Sequence, residues 1–300
     1  MKPGAGERAA QVLLALLKSL CFLALFLGTQ VLVMAPVMVA TVLQMTLEGK
    51  PVDGSLPFQA VVEHSMTFSL IANMLTLFIV MLFYLIRRKR FSEALWLRRV
   101  DGPTLWSGVC LVPALFLAVN LVLASLPEEW LESYSDASAG ITSGGVLGFI
   151  AVVAAAPLVE EVIFRGLIMT RLNQAMPGWL AMFLSAAIFG ACHGHPVWSG
   201  YAFVLGSIFG YMDLRAGSIW PSVLAHMAFN SISQILDLVP ESESGTEYLI
   251  AMGVLLLLAI VLPILDRKGI KKLFWREPKP PAVQAMPMVP GIYEFDPWES

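Results

Sequence analysis

Three short polar groupings interrupt a chain that is otherwise a succession of apolar segments. They are Glu160 and Glu161 with Arg165, then His193, then His226 with Asn230. Ionisable side chains at membrane depth are rare and face a protein interior or a wet cavity, so they are functional candidates by default. Carboxyl and imidazole groups in a site of low dielectric can be tuned to transfer protons near neutral pH.

The spacing within two of these groupings indicates which side chains lie on the same helix face. Glu161 and Arg165 are four residues apart, so on a helix they lie on one face as a neutralising pair. Glu160 points about 100° away from that face. His226 and Asn230 are also four residues apart and present an imidazole and an amide to the same place. One carboxylate is therefore compensated, and Glu160 is free for chemistry.

The remaining side chains have the types that peptide-bond hydrolysis requires. Glu160 and His193 could activate a water for attack on a carbonyl carbon. The side chains of His226 and Asn230 could donate hydrogen bonds to the oxyanion that develops.

The composition indicates a membrane protein. Of the 300 residues, 57% are hydrophobic and 14% are charged, which is well to the apolar side of soluble domains. This length allows about eight spans of roughly 20 residues, so one membrane domain is expected, with the lipid bilayer as a partner. The net charge of −3 and the lack of a Gly-rich phosphate loop argue against nucleic acid and against nucleotide-driven transport.

Apolar runs bounded by charged or turn residues predict an all-α, polytopic bundle of about eight transmembrane helices. The runs lie near 11–46, 66–86, 104–126, 144–170, 179–196, 200–213, 217–238 and 248–265. The first run is too long for one upright span. We expect it to tilt, to kink at Pro36 or to continue as a helix along the interface.

Basic residues orient these helices. All of the 19 Lys and Arg residues except Lys50 fall on or near one side of the predicted bundle, among them the run Arg87–Arg90. By the positive-inside rule that side is the cytoplasm. The opposite loops carry acidic residues such as Glu128, Glu132 and Asp237. We therefore expect a multi-pass protein of the bacterial inner membrane with both termini in the cytoplasm.

The orientation places the polar groups at a common depth. At about 1.5 Å of rise per residue, their distances from the cytoplasmic face are roughly 15, 21, 14 and 20 Å for Glu160, His193, His226 and Asn230. Against a hydrocarbon core of about 30 Å these positions are mid-membrane. We expect the four side chains to meet in one cavity.

The same residues carry a resemblance to a known family. Glu160–Arg165 has the form EExxxR, Phe189–His193 has the form FxxxH, and His226–Asn230 has the form HxxxN. The three motifs, in this order and each on its own predicted helix, resemble those of the CPBP intramembrane proteases. This is the CAAX-processing and bacteriocin-processing group that is also called the ABI family. The resemblance covers about 140–240.

The resemblance implies a role for each of these residues. Glu160 would be the catalytic glutamate, and His193 would help it to activate water. His226 and Asn230 would line the oxyanion site, and the neutralising pair on the first of these helices would be structural support. The family includes prenyl-protein endopeptidases, bacteriocin-immunity proteins and sorting-type proteases. The expected substrate is therefore only a protein or peptide near the membrane, with lipidated and membrane-anchored substrates both open.

The motifs divide the chain into four predicted parts. These are N-terminal transmembrane helices without a matched motif at 1–139, the catalytic core at 140–240, the last span with a basic cytoplasmic end at 241–276, and a Pro-rich, flexible tail at 277–300.

The sequence does not decide whether the site holds a metal ion. Glu160, His193 and His226 supply a carboxylate and two imidazoles, a set that can bind zinc with an open position for water. The HExxH arrangement is absent, and a metal-free glutamate mechanism uses the same residues.

Other classes of protein and other roles for the residues compete with the protease. A secondary transporter would also place charges at the midplane, but with internal repeats that this sequence does not show. A non-enzymatic immunity or scaffold protein would not need Glu160 and both histidines together. Arg165 could snorkel to the interface, and a membrane His or Asn230 could serve only helix packing. Two GxxxG spacings indicate close helix packing: Gly190/Gly194 and Gly206/Gly210.

Overall fold

The computed structural model describes residues 5–49, 65–138, 145–238, 246–268 and 270–271. Across these ranges the helices are α1 Ala5–Leu47, α2 Ser65–Ile86, α3 Phe91–Ala94, α4 Gly102–Cys110, α5 Val112–Ala124, α6 Glu128–Ser138, α7 Gly145–Asn173, α8 Gly178–Ala191, α9 Pro196–Ala216, α10 Trp220–Leu236 and α11 Thr246–Leu265. The described ranges contain no strand. The predicted all-α fold is confirmed.

The predicted membrane runs correspond to these helices to within two helical turns. Four helical stretches are long and apolar enough to cross a bilayer, namely α1, α2, α4 together with α5, and α7. Shorter apolar helices occur at Gly178–Ala191 and Leu249–Leu265, and α9 and α10 occupy the sixth and seventh predicted runs. The molecule is a polytopic helical membrane protein.

Helix α1 runs for 43 residues without ending at Pro36. At about 1.5 Å per residue it is about 64 Å long, roughly twice the hydrocarbon thickness of a bilayer. It packs against α2 and against residues 161–173 of α7. There the ring of Phe26 meets Phe164 edge to face at 5.6 Å. The N-terminal run is therefore attached directly to the helix that carries the EExxxR motif.

Helix α7 is not uniformly α-helical. Ala151–Ala155 and Glu161–Met169 are wound as π-helix, and the short α-helical stretch Ala156–Glu160 separates them. Every residue of Glu161–Met169 is buried. Stretches of π-helix are rare and occur frequently at functional sites. Here the change of winding falls between the two adjacent glutamates.

Helices α8 and α9 approach closely at glycines. A Cβ at Gly190 would lie 2.6 Å from the Ser199 carbonyl oxygen of α9, and one at Gly206 would lie 3.1 Å from Cδ1 of Phe189 in α8. The predicted close packing is confirmed at these positions but is wrong for Gly194. That residue follows the end of α8 with φ 74° and has nothing within 4 Å of its Cβ position, so it serves the turn.

The segment that follows the basic run Arg87–Arg90 closes one end of the bundle. The Ile219 amide donates to the Trp96 carbonyl oxygen at 3.1 Å, and a Cβ at Gly166 would lie 2.8 Å from the Leu95 carbonyl oxygen. Leu95 and Ile219 are buried. Residues 91–96 therefore lie against both α7 and the start of α10.

Some expectations concern parts of the chain outside the described residues. These are Lys50 and the flexible tail at 277–300.

Candidate active site

A cavity of about 560 Å³ lies inside the bundle, within the usual size range of ligand sites. Its wall includes Glu160 from α7, His193 just after α8, and His226 and Asn230 from α10. The structure thus brings together the four side chains that the depth argument placed at one level.

Glu161 and Arg165 form the expected pair below this cavity. Nη1 of Arg165 donates to Oε1 of Glu161 at 3.0 Å, and both residues are fully buried. A buried ion pair is tolerated only when the charges are matched and hydrogen-bonded. Snorkelling of Arg165 towards the interface is excluded by its burial.

Glu161 has a second partner that the sequence did not suggest. Its Oε1 atom lies 2.8 Å from Nδ1 of His226, a residue 65 positions later in the chain. A carboxylate only accepts hydrogen bonds, so Nδ1 carries a proton. The other ring nitrogen, Nε2, then faces Glu160, and its distance to Oε2 of Glu160 is 3.8 Å. Glu161 therefore aims His226 as well as neutralising Arg165.

His193 is anchored in the same manner by the backbone. Its Nδ1 lies 3.0 Å from the Phe189 carbonyl oxygen, which can only accept, so Nδ1 is again the protonated nitrogen. Nε2 is left for the cavity, and the ring interacts electrostatically with Glu160. Both site histidines thus have Nδ1 fixed by a protein acceptor, which sets the tautomer of each neutral ring.

The ring of Phe189 joins the buried pair to the histidines. The Arg165 guanidinium lies 4.4 Å from its centroid, a cation–π distance. The ring centroids of His193 and His226 are 4.8 and 6.0 Å from it. In the sequence Phe189 stands out only as the first residue of the FxxxH motif, and this motif position is the signal that marks it.

Asn230 spans two helices. Its Nδ2 donates to the Val152 carbonyl oxygen at 2.9 Å, so the amide connects α10 to the first π-helical stretch of α7. This is the packing role that the sequence left open. A side-chain amide has two N–H groups, so one of them is still available to a group in the cavity.

Two buried residues near the site were not singled out from the sequence. Asp213 is fully buried and accepts the Ser222 amide at 3.2 Å, which satisfies a free N–H in the first turn of α10. Asp213 also interacts electrostatically with Glu161, and the Ser222 hydroxyl donates to the Ile219 carbonyl oxygen at 2.9 Å. Asp213 is the last residue of the predicted run 200–213, a position that gave no signal of a buried partner. A buried acid of α9 thus supports the helix that carries His226.

The residues do not fit a zinc ion as they are placed. Zinc needs its nitrogen and oxygen ligands about 2.0–2.2 Å from one point. Across the described part of the chain, no three His, Cys, Asp or Glu side chains are grouped to hold a metal ion. Glu160, His193 and His226 therefore share a cavity without forming a metal centre.

Fold and site together define a helical membrane protein with carboxylate and imidazole groups held inside the bundle. Residues 142–232 match the family model described as type II CAAX prenyl endopeptidase Rce1-like, and this segment holds all three motifs. This match confirms the resemblance that the motifs carry to the CPBP group of CAAX-type membrane proteases.

One curated relative agrees with this family. It is the Bacillus subtilis (strain 168) protein named "Putative membrane peptidase YdiL", 30% identical over 105 residues. The aligned stretch covers 33% of this chain and 43% of that protein, so the chain spans less than half the length of this relative. No solved structure matches.

Proposed function

We propose that this protein is an intramembrane endopeptidase that hydrolyses a peptide bond of a protein or peptide substrate with Glu160 as general base. The observation that carries the proposal is the pairing of Glu160 with His226 in the cavity. Oε2 of Glu160 lies 3.8 Å from Nε2 of a ring whose other nitrogen is held by Glu161. The match of residues 142–232 to a model described as type II CAAX prenyl endopeptidase Rce1-like supports the same class of reaction.

In the first step a water molecule attacks the substrate. Glu160 takes a proton from the water, the water oxygen bonds to the carbonyl carbon, and the carbonyl π electrons move onto oxygen. His193 contributes its Nε2 as an acceptor that orients the same water, because its Nδ1 is committed to the Phe189 carbonyl. A carboxylate and an imidazole then hold the nucleophile from two sides.

The oxyanion that forms needs donors. A neutral His226 has its one proton on Nδ1, where Glu161 accepts it, so this ring donates to the oxyanion from Nε2 only as an imidazolium. The second N–H of Asn230 adds a donor. Collapse of the intermediate breaks the C–N bond, and Glu160 returns its proton to the leaving nitrogen. The products are a carboxylic acid and an amine.

The test is to replace Glu160 by Gln, which keeps shape and removes the base. General-base catalysis contributes about 10²- to 10⁴-fold, so we expect cleavage to fall by that factor. The matched control is Asp237→Asn, which removes another carboxylate from the wall of the same cavity and should leave cleavage intact.

The measurement compares protein termini in membrane and secreted fractions of cells producing each variant. Termini that depend on the wild-type chain should persist with Asp237→Asn and vanish with Glu160→Gln. A Glu160→Gln variant that generates the same termini at the normal rate would contradict the proposal. So would a wild-type chain that generates none, as expected of a scaffold, immunity protein or transporter.

A further inference from the structure

The cavity has a direction along the bundle. Its deeper wall is formed by Glu160 and His226, which lie well inside their helices. Elsewhere the wall reaches the first turns of α2 at Met66, helix α6 at Ser138, and the end of α10 at Asp237. All three places adjoin the loops that carry the acidic residues. The cavity therefore leads from the catalytic groups to that end of the bundle.

The opposite end contributes nothing to the cavity. Within the described chain, no residue of 87–103, 170–178 or 214–222 lines it. Those segments include the basic run Arg87–Arg90 and the helix ends at the same end of the bundle. Below Glu160 lies a closed layer instead, in which Arg165, Leu95 and Ile219 are all buried. A substrate cannot reach Glu160 through this layer without unpacking it.

The charges assign these two ends to the two sides of a membrane. Lys and Arg on short loops favour the cytoplasmic side, and the closed end is the one that carries Arg87–Arg90, Arg98 and Arg99. The end to which the cavity leads carries Glu128, Glu132 and Asp237.

We propose that the site is reached from the extracytoplasmic side, so that its substrates are polypeptide segments presented at the outer face of the membrane. That the site acts on substrates rests on the proposed function, whereas the direction of the cavity does not. A substrate that presents its scissile bond only in the cytoplasm would meet the closed layer.

The wall suits an extended peptide segment. Near the opening it offers hydroxyl and amide groups from Tyr134, Tyr201, Asn120 and Gln234 beside apolar surface from Phe116. Polar side chains can satisfy the backbone N–H and C=O groups of an unwound segment, which hydrocarbon cannot do. The occupant is therefore a non-helical stretch of an anchored or exported chain.

The direction of access can be tested without any activity. The described thiols are Cys21, Cys110 and Cys192, and replacing them by Ala or Ser gives a background for single cysteines. Ala156→Cys and Ser233→Cys place a thiol on the cavity wall. Ser92→Cys places one on the exposed surface of the closed end, and Leu257→Cys places one on the exposed apolar surface of α11, where we expect lipid.

The probe is a sulfonated maleimide that does not cross membranes, applied to spheroplasts and then to permeabilised membranes. We expect Ala156→Cys and Ser233→Cys to react in both, Ser92→Cys only after permeabilisation, and Leu257→Cys in neither. Reaction of the two cavity cysteines only after permeabilisation would overturn the proposal. Their failure to react in either sample would also overturn it.

A second arm separates this inference from the proposed function. The chain-dependent termini lost with Glu160→Gln should map to extracytoplasmic segments of their proteins, and termini in cytoplasmic segments would overturn the inference alone. If no termini depend on the chain, the proposed function fails while the labelling result still decides the direction of access.

Discussion

The two ends of the bundle treat adjacent, identical residues in opposite ways. Glu161 belongs to the closed end, where it is fully buried between Arg165 and His226. Glu160 faces the cavity, with a fifth of its side chain exposed and His226 at 3.8 Å. A carboxylate with two strong partners is held as a structural charge, whereas one beside a wet cavity can exchange protons. Position relative to the cavity decides which glutamate can do chemistry.

Residues of the closed end also fix the position of a side chain in the cavity. His226 is aimed at Glu160 because Glu161 holds its Nδ1, and Glu161 is held in turn by Arg165. A catalytic group is only as well placed as the residues that fix its rotamer. Damage to the closed layer should therefore both destabilise the fold and misplace the His226 imidazole.

The largest expected effect is that of Arg165→Ala. It leaves Glu161 buried without its cation, and removing one partner of a buried pair costs about 3–5 kcal/mol. We expect a clear loss of thermal stability in detergent, measured by the unfolding midpoint. The control is Arg90→Ala, which removes an exposed pair with Glu93 at 3.9 Å and should cost less than about 1 kcal/mol. Equal unfolding midpoints for the two variants would show that the buried pair contributes no more to stability than the exposed pair.

An intermediate effect is expected for Gly206→Ala. The new Cβ would lie 2.8 Å from Nη2 of Arg165 and 3.1 Å from Cδ1 of Phe189, so the guanidinium must shift. Overpacking of this kind costs about 1–3 kcal/mol. Gly200→Ala on the same helix has nothing within 4 Å and should be neutral or slightly stabilising. The measurement compares the unfolding midpoints of the two variants. A Gly206→Ala protein as stable as Gly200→Ala would show that the residues around Arg165 can move to accommodate the added methyl group.

The smallest effect on stability is expected at the opening of the cavity. The Tyr134 hydroxyl lies 3.2 Å from that of Tyr201, and its ring packs near Trp198. Tyr134→Ala should cost no more than about 1 kcal/mol from the lost hydrogen bond, in addition to the lost packing of a partly buried ring. It should also speed labelling of a cysteine at Ala156 by widening the opening. Tyr134→Phe keeps the ring and should leave the labelling rate unchanged. Equal rates for both variants would mean that α6 does not restrict access.

Much of the architecture was predictable because it depends on local pattern. Apolar runs between charged segments gave the helices to within two turns, and i to i+4 spacing gave the pair of Glu161 with Arg165. The depth argument brought Glu160, His193 and His226 to one level, since a span of known direction and rise leaves little freedom along the membrane normal.

What was missed depends on rotation and on contacts between distant segments. The bond from His226 to Glu161 joins residues 65 apart, and their relative rotation is set by how α7 and α10 pack. Asp213 is the last residue of the predicted run 200–213, and its charge alone does not distinguish a helix end from a buried partner. The π-helical winding of α7 likewise has no signature in a run of apolar residues.

That winding makes the length of α7 as critical as its composition. Removing one residue from a helix turns everything beyond it by about 100° relative to the part before it. A deletion within Ala151–Ala155 would therefore swing Glu160 off the cavity or pull Glu161 and Arg165 out of their layer, although each residue would still be present. A sequence change that preserves every motif can therefore abolish such a site. Whether a variant keeps the site depends on the number of residues between Val152 and Arg165 as much as on their identity.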